Sequence, residues 1–282
     1  MKNFFKLLYE EFIYGGHLLS LGAVGILISS AFIFNKPINF FLILIGYSIN
    51  QIIYNYNHLK ELEKDFLTNP NRVKHLKKIK KINLFLFCVY FLIFILSLIY
   101  LKKINLTILV FFILIGGILF TDVFKKMTKK ITAFKNIYVS FFWALGIFLI
   151  VVFYNIKDLI AIFLFFLFVF LRLLTNTIFF DIKDIESDKK EGLKTLPVLW
   201  GEKKTINFLY FLNFLSFLPI VIGVFFHVFP LFSLLLCLFY FYTFYYLKNA
   251  NKKNIHKLSY IIADGEYLFW PIFLLIGKIL KI

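Results

Sequence analysis

Three aspartates follow one another at helical spacing in the second half of the chain. Asp181, Asp184 and Asp188 lie in the stretch FDIKDIESDKKEGLKTLPVLWG, residues 180–201, directly after a long apolar run. Spacings of three and four residues place side chains on one face of a helix, so a helix continuing from that run predicts a face with three carboxylates. Such a face beside a membrane favours a bound cation, because like charges repel and raise one another's pKa.

A second oxygen-rich face ends an apolar run in the first half of the chain. Asn57, Glu61 and Asp65 recur at every fourth residue, so one helical face offers an amide and two carboxylates. Two such faces across a helix bundle suit Mg²⁺, which prefers oxygen ligands and commonly bridges protein carboxylates to phosphates. The pattern therefore predicts a magnesium site at which a diphosphate binds. The competing interpretation is a solvated loop in which Glu and Lys pair at helical spacing.

Pairs of lysines accompany both acidic faces. Lys125 and Lys126 end one apolar run, and Lys189 and Lys190 follow Asp188. Ammonium groups at these places would neutralise phosphate oxygens that no metal covers. The simpler explanation for any single lysine is the enrichment of basic residues in cytoplasmic loops.

Composition restricts the class of protein to those embedded in membranes. Of the 282 residues, 61% are hydrophobic and only 17% are charged, an apolar share beyond that of ordinary globular domains. The formal charge of +17 comes mostly from the loops between apolar runs and is accompanied by no nucleic-acid-binding module. The sequence predicts membrane lipid as the surroundings and no nucleic-acid partner.

Apolar windows of about 20 residues predict an all-α, polytopic integral membrane protein with about nine transmembrane helices in a bundle around a central cavity. The chain is predicted to form a single domain, 1–282, with two similar halves at about 14–136 and 137–282. The nine windows are 15–34, 38–57, 82–101, 104–124, 137–155, 159–180, 205–226, 229–247 and 260–280.

The long loops and the N-terminal end carry most of the 32 lysines and arginines, whereas the short connections on the other side carry few. Cytoplasmic loops accumulate these residues, so the N-terminus and the acidic loops are predicted to be cytoplasmic and the C-terminus to lie on the opposite side. An odd number of spans agrees with that orientation.

Two further charged residues are candidates for the lining of the pocket. Arg172 lies inside an apolar run about two turns before Asp181, and an arginine inside a membrane usually faces the bundle interior, here as a counter-ion for the aspartates. Asp264 begins the last span, where it is predicted either to line the pocket or an acceptor site or to cap a helix at the interface.

These residues together carry a resemblance to the UbiA-type intramembrane prenyltransferase superfamily. Its second signature is similar to Asp184 and Asp188 with the following basic pair, Gly192 and the run Thr195 to Val198. Its first signature, N-x-x-x-D-x-x-x-D, is similar to the face from Asn57 to Asp65, followed by the sequence NPNR that ends at Arg72. The basic pair Lys125-Lys126 before Asn136 also resembles the family pattern.

The resemblance implies a Mg²⁺-dependent prenyltransferase. Asn57, Asp65, Asp184 and Asp188 would be the catalytic set, and the metal would be held by these residues together with Glu61 and Asp181. The diphosphate of a polyprenyl diphosphate would be bound by Lys125, Lys126, Lys189, Lys190 and Arg72. The acceptor would be aromatic or lipid-like, and the family does not fix its identity. Glu61 departs from the usual aspartate, and its extra methylene shifts the ligand position.

Two alternatives remain open on the sequence alone, and a third lacks its signature. A cation transporter with acidic half-sites would favour acids near the bilayer midplane, whereas these acids cluster at helix ends. A UbiA-like protein could instead cyclise a terpene within the same cavity. A CDP-alcohol phosphotransferase would need a D-G-x-x-A-R signature, but Asp264-Gly265 continues as Glu-Tyr-Leu-Phe.

Overall fold

The computed structural model describes residues 2–66, 68–251 and 253–281, with side chains from residue 5 onward except those of 63–65, and its regular structure within these ranges is entirely helical. The helices pack as one bundle, and a 3-10 helix, Phe124–Lys129, connects α6 to α7. In chain order they are α1 Lys2–Tyr14, α2 His17–Ile33, α3 Phe40–Asp65, α4 Pro70–Lys78, α5 Lys80–Leu101, α6 Ile104–Asp122, α7 Phe134–Phe153, α8 Leu159–Lys183, α9 Ile185–Glu191, α10 Leu196–Phe225, α11 Leu231–Lys248 and α12 Ile255–Ile279.

The multi-pass membrane fold is confirmed, and the number of nine spans is approximate. Among the described residues, 7 helices are long and apolar enough to cross a membrane, or 8 if the bent pair α1 and α2 forms one span. The predicted span 38–57 lies in α3, which has 26 residues but does not meet the same hydropathy. Its amides explain the difference, since Asn50 and Asn57 line an internal cavity and Gln51 and Asn55 are buried.

The predicted first span, 15–34, corresponds to α2, and α1 precedes it as the other half of a bent pair of helices. α1 and α2 meet at an angle of 54°. The bend depends on Gly16, whose φ of 78° is left-handed and whose added Cβ would lie 2.5 Å from the ring of Tyr54. Any other residue at this position would have a strained backbone, and its Cβ would clash with the ring of Tyr54. Glycine avoids both problems.

Tight turns join the predicted spans at the end of the bundle opposite the acidic loops. Asn35, Lys102 and Asn155 each take a left-handed conformation with φ near 50° just after a helix. The helices that follow begin with side-chain caps in two cases, where Asn39 accepts from the amides of Phe41 and Leu42 and Asp158 accepts from that of Ala161. The short connections predicted from the sequence are therefore confirmed.

Close contact between α2 and α12 closes one side of the bundle. A Cβ at Gly25 would lie 2.1 Å from the carbonyl oxygen of Tyr267, so the backbones meet there as small residues in membrane helices allow. Large apolar side chains such as Phe85, Ile104, Leu159 and Phe225 are exposed on the outer faces, where lipid would cover them. The core and the lipid-facing surface together account for the high apolar content.

A buried polar cluster attaches α1 to the bundle. The carboxylate of Glu11 lies 2.6 Å from Nε2 of His75 in α4 and 3.3 Å from Nε2 of His17 in α2. The other ring nitrogen of His17 lies 2.5 Å from the hydroxyl of Tyr47 in α3. Three helices are thereby fixed around α1, and α4 is held where its Arg72 reaches the internal cavity.

Candidate active site

A central cavity of about 370 Å³ lies among α2, α3, α6, α7, α8 and α12. One end is lined by carboxylates, lysines and Arg72 from the ends of these helices. The remainder is lined by apolar and aromatic side chains, including Leu27, Ile49, Trp143 and Leu173. A cavity with one charged end and an apolar interior fits a molecule with an anionic head and a hydrocarbon chain.

The first acidic face reaches this cavity from the end of α3. Asn57 and Glu61 both line it, and the Glu61 carboxylate accepts a hydrogen bond of 2.6 Å from Nζ of Lys125. The amide oxygen of Asn57 is buried and has no hydrogen-bond partner within the described structure. Asp65 ends the helix, and its side chain lies outside the described residues.

The second acidic face lines the same cavity, although it does not form one continuous helix as predicted. α8 ends at Lys183 and α9 begins at Ile185, so Asp184 lies at the junction, with its amide bonded to the carbonyl of Asp181 at 3.1 Å. All three aspartates nevertheless face the cavity, because the chain resumes its helical turn immediately and brings Asp188 back to that side. Gly192, with φ of 71°, then ends α9.

Lys135 connects two of the aspartates. Its Nζ lies 2.9 Å from Asp181 and 2.7 Å from Asp188, and Asp181 also accepts a hydrogen bond of 2.9 Å from the amide of Asn136. Because Asp181 and Asp188 are almost fully buried, their charges require such partners. The start of α7 therefore supplies a cation and an amide to the second face.

The third aspartate has different partners. Asp184 accepts a hydrogen bond of 2.6 Å from Nζ of Lys183 and one of 3.3 Å from the amide of Asn69, whose oxygen accepts from the hydroxyl of Tyr260. Burial on its own would raise the pKa of the Asp184 carboxyl, but the positive charges of Lys183, Lys135 and Arg72 hold that pKa below its usual range. Asp184 is therefore ionised and available to a cation.

The lysines at the cavity are not all those predicted from the sequence. Lys125 lines it, and its contacts with Glu61 and Glu191 raise the pKa of the ammonium even though burial opposes this. The structure places Lys126, Lys189 and Lys190 on the exposed surface, outside the lining. Lys135 and Lys183 take their place at the cavity.

The two candidates for the pocket lining have different positions. Asp264 lines the cavity and is 6% exposed, whereas Arg172 is buried beside it among α8, α10, α11 and α12. Arg172 pairs with Glu266 at 2.6 Å and also donates to Asn213 at 2.6 Å, so the hypothesis that it neutralises the aspartates is wrong. The carboxylate that pairs with Arg172 is that of Glu266, and the sequence interpretation did not identify Glu266 as a partner.

The oxygen donors fit Mg²⁺ by type. Carboxylates and a carboxamide are the ligands that this ion prefers, and the unpartnered oxygen of Asn57 leaves an acceptor directed to the cavity that no protein group satisfies within the described structure. Lysine ammonium groups pair with these carboxylates, and no three acidic, histidine or cysteine side chains of the described part are gathered in a metal-binding arrangement. Asn57, Glu61, Asp184 and Asp188 are the residues that would hold the ion.

Solved structures of low sequence identity share this fold. The apo structure of a UbiA homologue from Aeropyrum pernix K1 has 16% identity and a TM-score of 0.68, with the match covering 96% of this chain and 98% of that one. A UbiA homologue from Archaeoglobus fulgidus bound to GPP and Mg²⁺ has 14% identity and a TM-score of 0.65, covering 94% and 99%. A structure from work on digeranylgeranylglyceryl phosphate synthase in membranes has 19% identity and a TM-score of 0.60, and the match covers 96% of this chain and 98% of that one.

The sequence itself matches at the level of a family. No curated protein gives a match to the chain. A model described as the UbiA prenyltransferase family matches residues 18–270, which span both acidic faces and almost all of the bundle. The resemblance inferred from the motifs is thereby confirmed, and the chain belongs to the UbiA prenyltransferase family of integral membrane proteins.

Proposed function

We propose that this prenyltransferase moves a polyprenyl group from its diphosphate to a lipophilic acceptor inside the membrane, with Mg²⁺ at the charged end of the cavity. The observation that carries the proposal is that both acidic faces line one cavity whose interior is apolar. A UbiA homologue with this fold has been solved with GPP and Mg²⁺. A cation transporter would have no use for an apolar chamber of this size next to its acids.

The diphosphate of the donor binds at the charged end. Lys125, Lys135, Lys183 and Arg72 line that end and supply charge-assisted hydrogen bonds to phosphate oxygens. Asn57, Glu61, Asp184 and Asp188 would hold Mg²⁺ at this end, and the ion would supply positive charge that stabilises the leaving diphosphate. The lysines that pair with these carboxylates would then be available to the phosphate oxygens.

The hydrocarbon chain of the donor occupies the apolar part. Tyr138 and Phe120 line the cavity near the lysines, and Trp143 lies further along α7. When the bond between C1 and the diphosphate oxygen breaks, positive charge develops on the allylic carbons, and aromatic faces attract such charge. The apolar wall also keeps water away from that carbon, which favours transfer to the acceptor over hydrolysis.

The charged end of the cavity faces the cytoplasm in this proposal. The site lies at the end of the bundle where the long lysine-rich connections are found, and basic connections are retained on the cytoplasmic side of a membrane. The prenyl chain then points into the hydrocarbon layer, and diphosphate is released to the cytoplasm.

Diphosphate release tests the reaction directly. Purified protein in lipid nanodiscs is expected to release diphosphate from labelled geranylgeranyl diphosphate when Mg²⁺ and lipophilic acceptors are present, and to lose that activity when EDTA removes the metal. A labelled cyclic product formed without an acceptor would favour the terpene cyclase. Cation flux in liposomes without turnover of the prenyl diphosphate would contradict the proposal and favour the transporter.

Substitution of lysines tests the charged end of the cavity. Lys125→Ala is expected to weaken donor binding by about 10- to 100-fold, since charge-assisted hydrogen bonds contribute about 1.5–3 kcal/mol. The matched comparison is the double change of Lys189 and Lys190 to Ala, which removes two charges from the exposed surface. We expect less than a threefold effect there. If both variants lose donor affinity equally, then Lys189 and Lys190, which the sequence predicted, also bind the diphosphate.

A further inference from the structure

One buried amide in the cavity wall has no partner. Asn176 is 7% exposed and lines the cavity from α8, and its Nδ2 makes no hydrogen bond in the described structure. A buried donor without an acceptor costs about 1–3 kcal/mol. Asn50, another amide in this wall, already donates to the carbonyl of Gly46 at 2.8 Å. The acceptor group nearest in kind is the carboxylate of Asp264, which interacts with this amide, and an acceptor atom of a ligand would supply the hydrogen bond that Nδ2 lacks.

Asp264 faces Asn176 from the opposite helix. The antiparallel contact of α8 with α12 fixes this register, because the rings of Phe180 and Tyr260 meet at 5.8 Å and the hydroxyl of Tyr267 donates to the carbonyl of Arg172 at 3.3 Å. Asp264 and Asn176 lie midway between these two contacts, and both line the cavity. The amide of Asn176 and the carboxylate of Asp264 thus lie next to each other in the cavity wall, close enough to interact.

The pair lies at the depth where the reacting carbon of the donor would be. Asn176 precedes Asp181 by five residues and Asp184 by eight, which is about 7.5 Å and about 12 Å along a helix that rises 1.5 Å per residue. A diphosphate held at the aspartates, with its prenyl chain directed inward, brings C1 close to this level. The pair is separate from the residues that hold the metal and the diphosphate.

We propose that Asn176 and Asp264 bind the acceptor and that the acceptor presents a neutral hydroxyl group. This inference rests on the proposed function. A hydroxyl accepts a hydrogen bond from the Asn176 amide through its oxygen and donates one to the Asp264 carboxylate, which neither a ring carbon nor an ether can do. Leu173 and Ala23 also line the cavity, so the part of the acceptor that packs against them is hydrophobic.

The same contacts define the transfer step. The hydroxyl oxygen attacks C1 of the prenyl group, a carbon–oxygen bond forms there, and the bond from C1 to the diphosphate oxygen breaks. The electron pair of that bond leaves with the diphosphate, and the hydroxyl proton passes to the Asp264 carboxylate. Asp264 is therefore a catalytic residue, whereas Asn176 orients the nucleophile.

Equilibrium binding in nanodiscs tests the subsite with simple probes. The donor site is filled with geranylgeranyl S-thiolodiphosphate and Mg²⁺, and the affinities of 4-hexylphenol and its methyl ether, 4-hexylanisole, are compared after subtraction of binding to empty nanodiscs. The full-length protein is expected to prefer the phenol by at least about tenfold, and Asn176→Leu and Asp264→Leu are each expected to reduce that preference below twofold.

Controls separate the subsite from the fold and from the donor site. Affinity for the thiolodiphosphate should stay within twofold in both variants, which shows that the donor site is intact. Thr177→Val changes the next residue, whose hydroxyl is already engaged with Ser140 at 3.2 Å, and should keep the preference. Lack of preference in the wild type, or its persistence in the variants, would overturn the proposal. Loss of donor binding in the wild type would instead refute the proposed function.

The proton transfer has its own measurement. With geranylgeranyl diphosphate, Asp264→Asn is expected to slow formation of the ether of 4-hexylphenol by about a hundredfold with little change in donor affinity, since general-base catalysis contributes about that factor. If Asp264→Asn forms the ether at the wild-type rate, or if the wild type forms no ether, then Asp264 is not the base.

Discussion

Asp188→Asn is expected to lower diphosphate release from a prenyl diphosphate by at least about a thousandfold, or about 4 kcal/mol in activation free energy. Asp188 is 3% exposed and lies 2.7 Å from Nζ of Lys135. Asparagine keeps the size and an oxygen but removes the charge with which the carboxylate would bind Mg²⁺. Lys135 keeps its ion pair with Asp181, at 2.9 Å, so the variant should still fold.

Steady-state diphosphate release over a range of Mg²⁺ concentrations provides the measurement. We expect the maximal rate to fall and more Mg²⁺ to be required for the residual activity. Asp158→Asn is the matched control, because Asp158 caps the opposite end of α8 and asparagine caps helices equally well. Near-normal turnover by Asp188→Asn, with an unchanged dependence on Mg²⁺, would exclude Asp188 as a metal ligand.

Hydropathy predicted most of the helices because the lipid-facing surface of a membrane protein is uniformly apolar. It was least accurate where a helix faces the cavity. α3 carries Asn50 and Asn57 towards the interior, which lowers its hydropathy even though the helix is 26 residues long. The bend between α1 and α2 was also missed, since it depends on the ring of Tyr54 lying against Gly16 in the folded chain. Contacts between distant residues are not encoded in a local pattern.

The acids of the site were predictable and the cations were only partly so. Acids are rare in this chain, and their helical spacing distinguishes Asp181, Asp184 and Asp188 from solvated charge. Lysines are abundant in all the long loops, so their position in sequence does not tell which of them turn inward. Lys135 and Lys183 reach the cavity because α7 begins, and α8 ends, against the aspartates. The adjacency of Lys135 to Asn136, a residue already noted in the sequence, was the available signal.

Arg172 illustrates the same limit deeper in the bundle. Its place inside an apolar run predicts an inward orientation, and the structure confirms that it is buried. Its partner, Glu266, is far away in sequence and looked like an ordinary residue at the start of the last span. The pair is 1% exposed on both sides, and Asn213, Thr243 and Trp270 complete its hydrogen bonds. Four helices are thereby joined in one register, which also sets Asp264 at the cavity wall.

Breaking this pair is expected to be the most destabilising single change in the bundle. Arg172→Met leaves the Glu266 carboxylate buried without its cation, and Glu266→Leu leaves the guanidinium without its anion, so each should lower the free energy of unfolding by about 3–5 kcal/mol. The double change of Arg172 to Met and Glu266 to Leu removes both charges and should recover most of that loss, because apolar side chains of similar size avoid the desolvation cost.

Chemical unfolding in mild detergent, followed by fluorescence, gives the three free energies for a double-mutant cycle. The exposed pair of Lys60 and Asp122, at 3.0 Å, is the control, and its disruption by Lys60→Ala should cost less than about 1 kcal/mol. If the single losses simply add in the double variant, then the two side chains do not stabilise each other and the register of α12 is set by apolar packing. If the double variant recovers, the charges act as one unit, and the position of Asp264 at the cavity then depends on the pair of Arg172 with Glu266, which lies two residues further along α12.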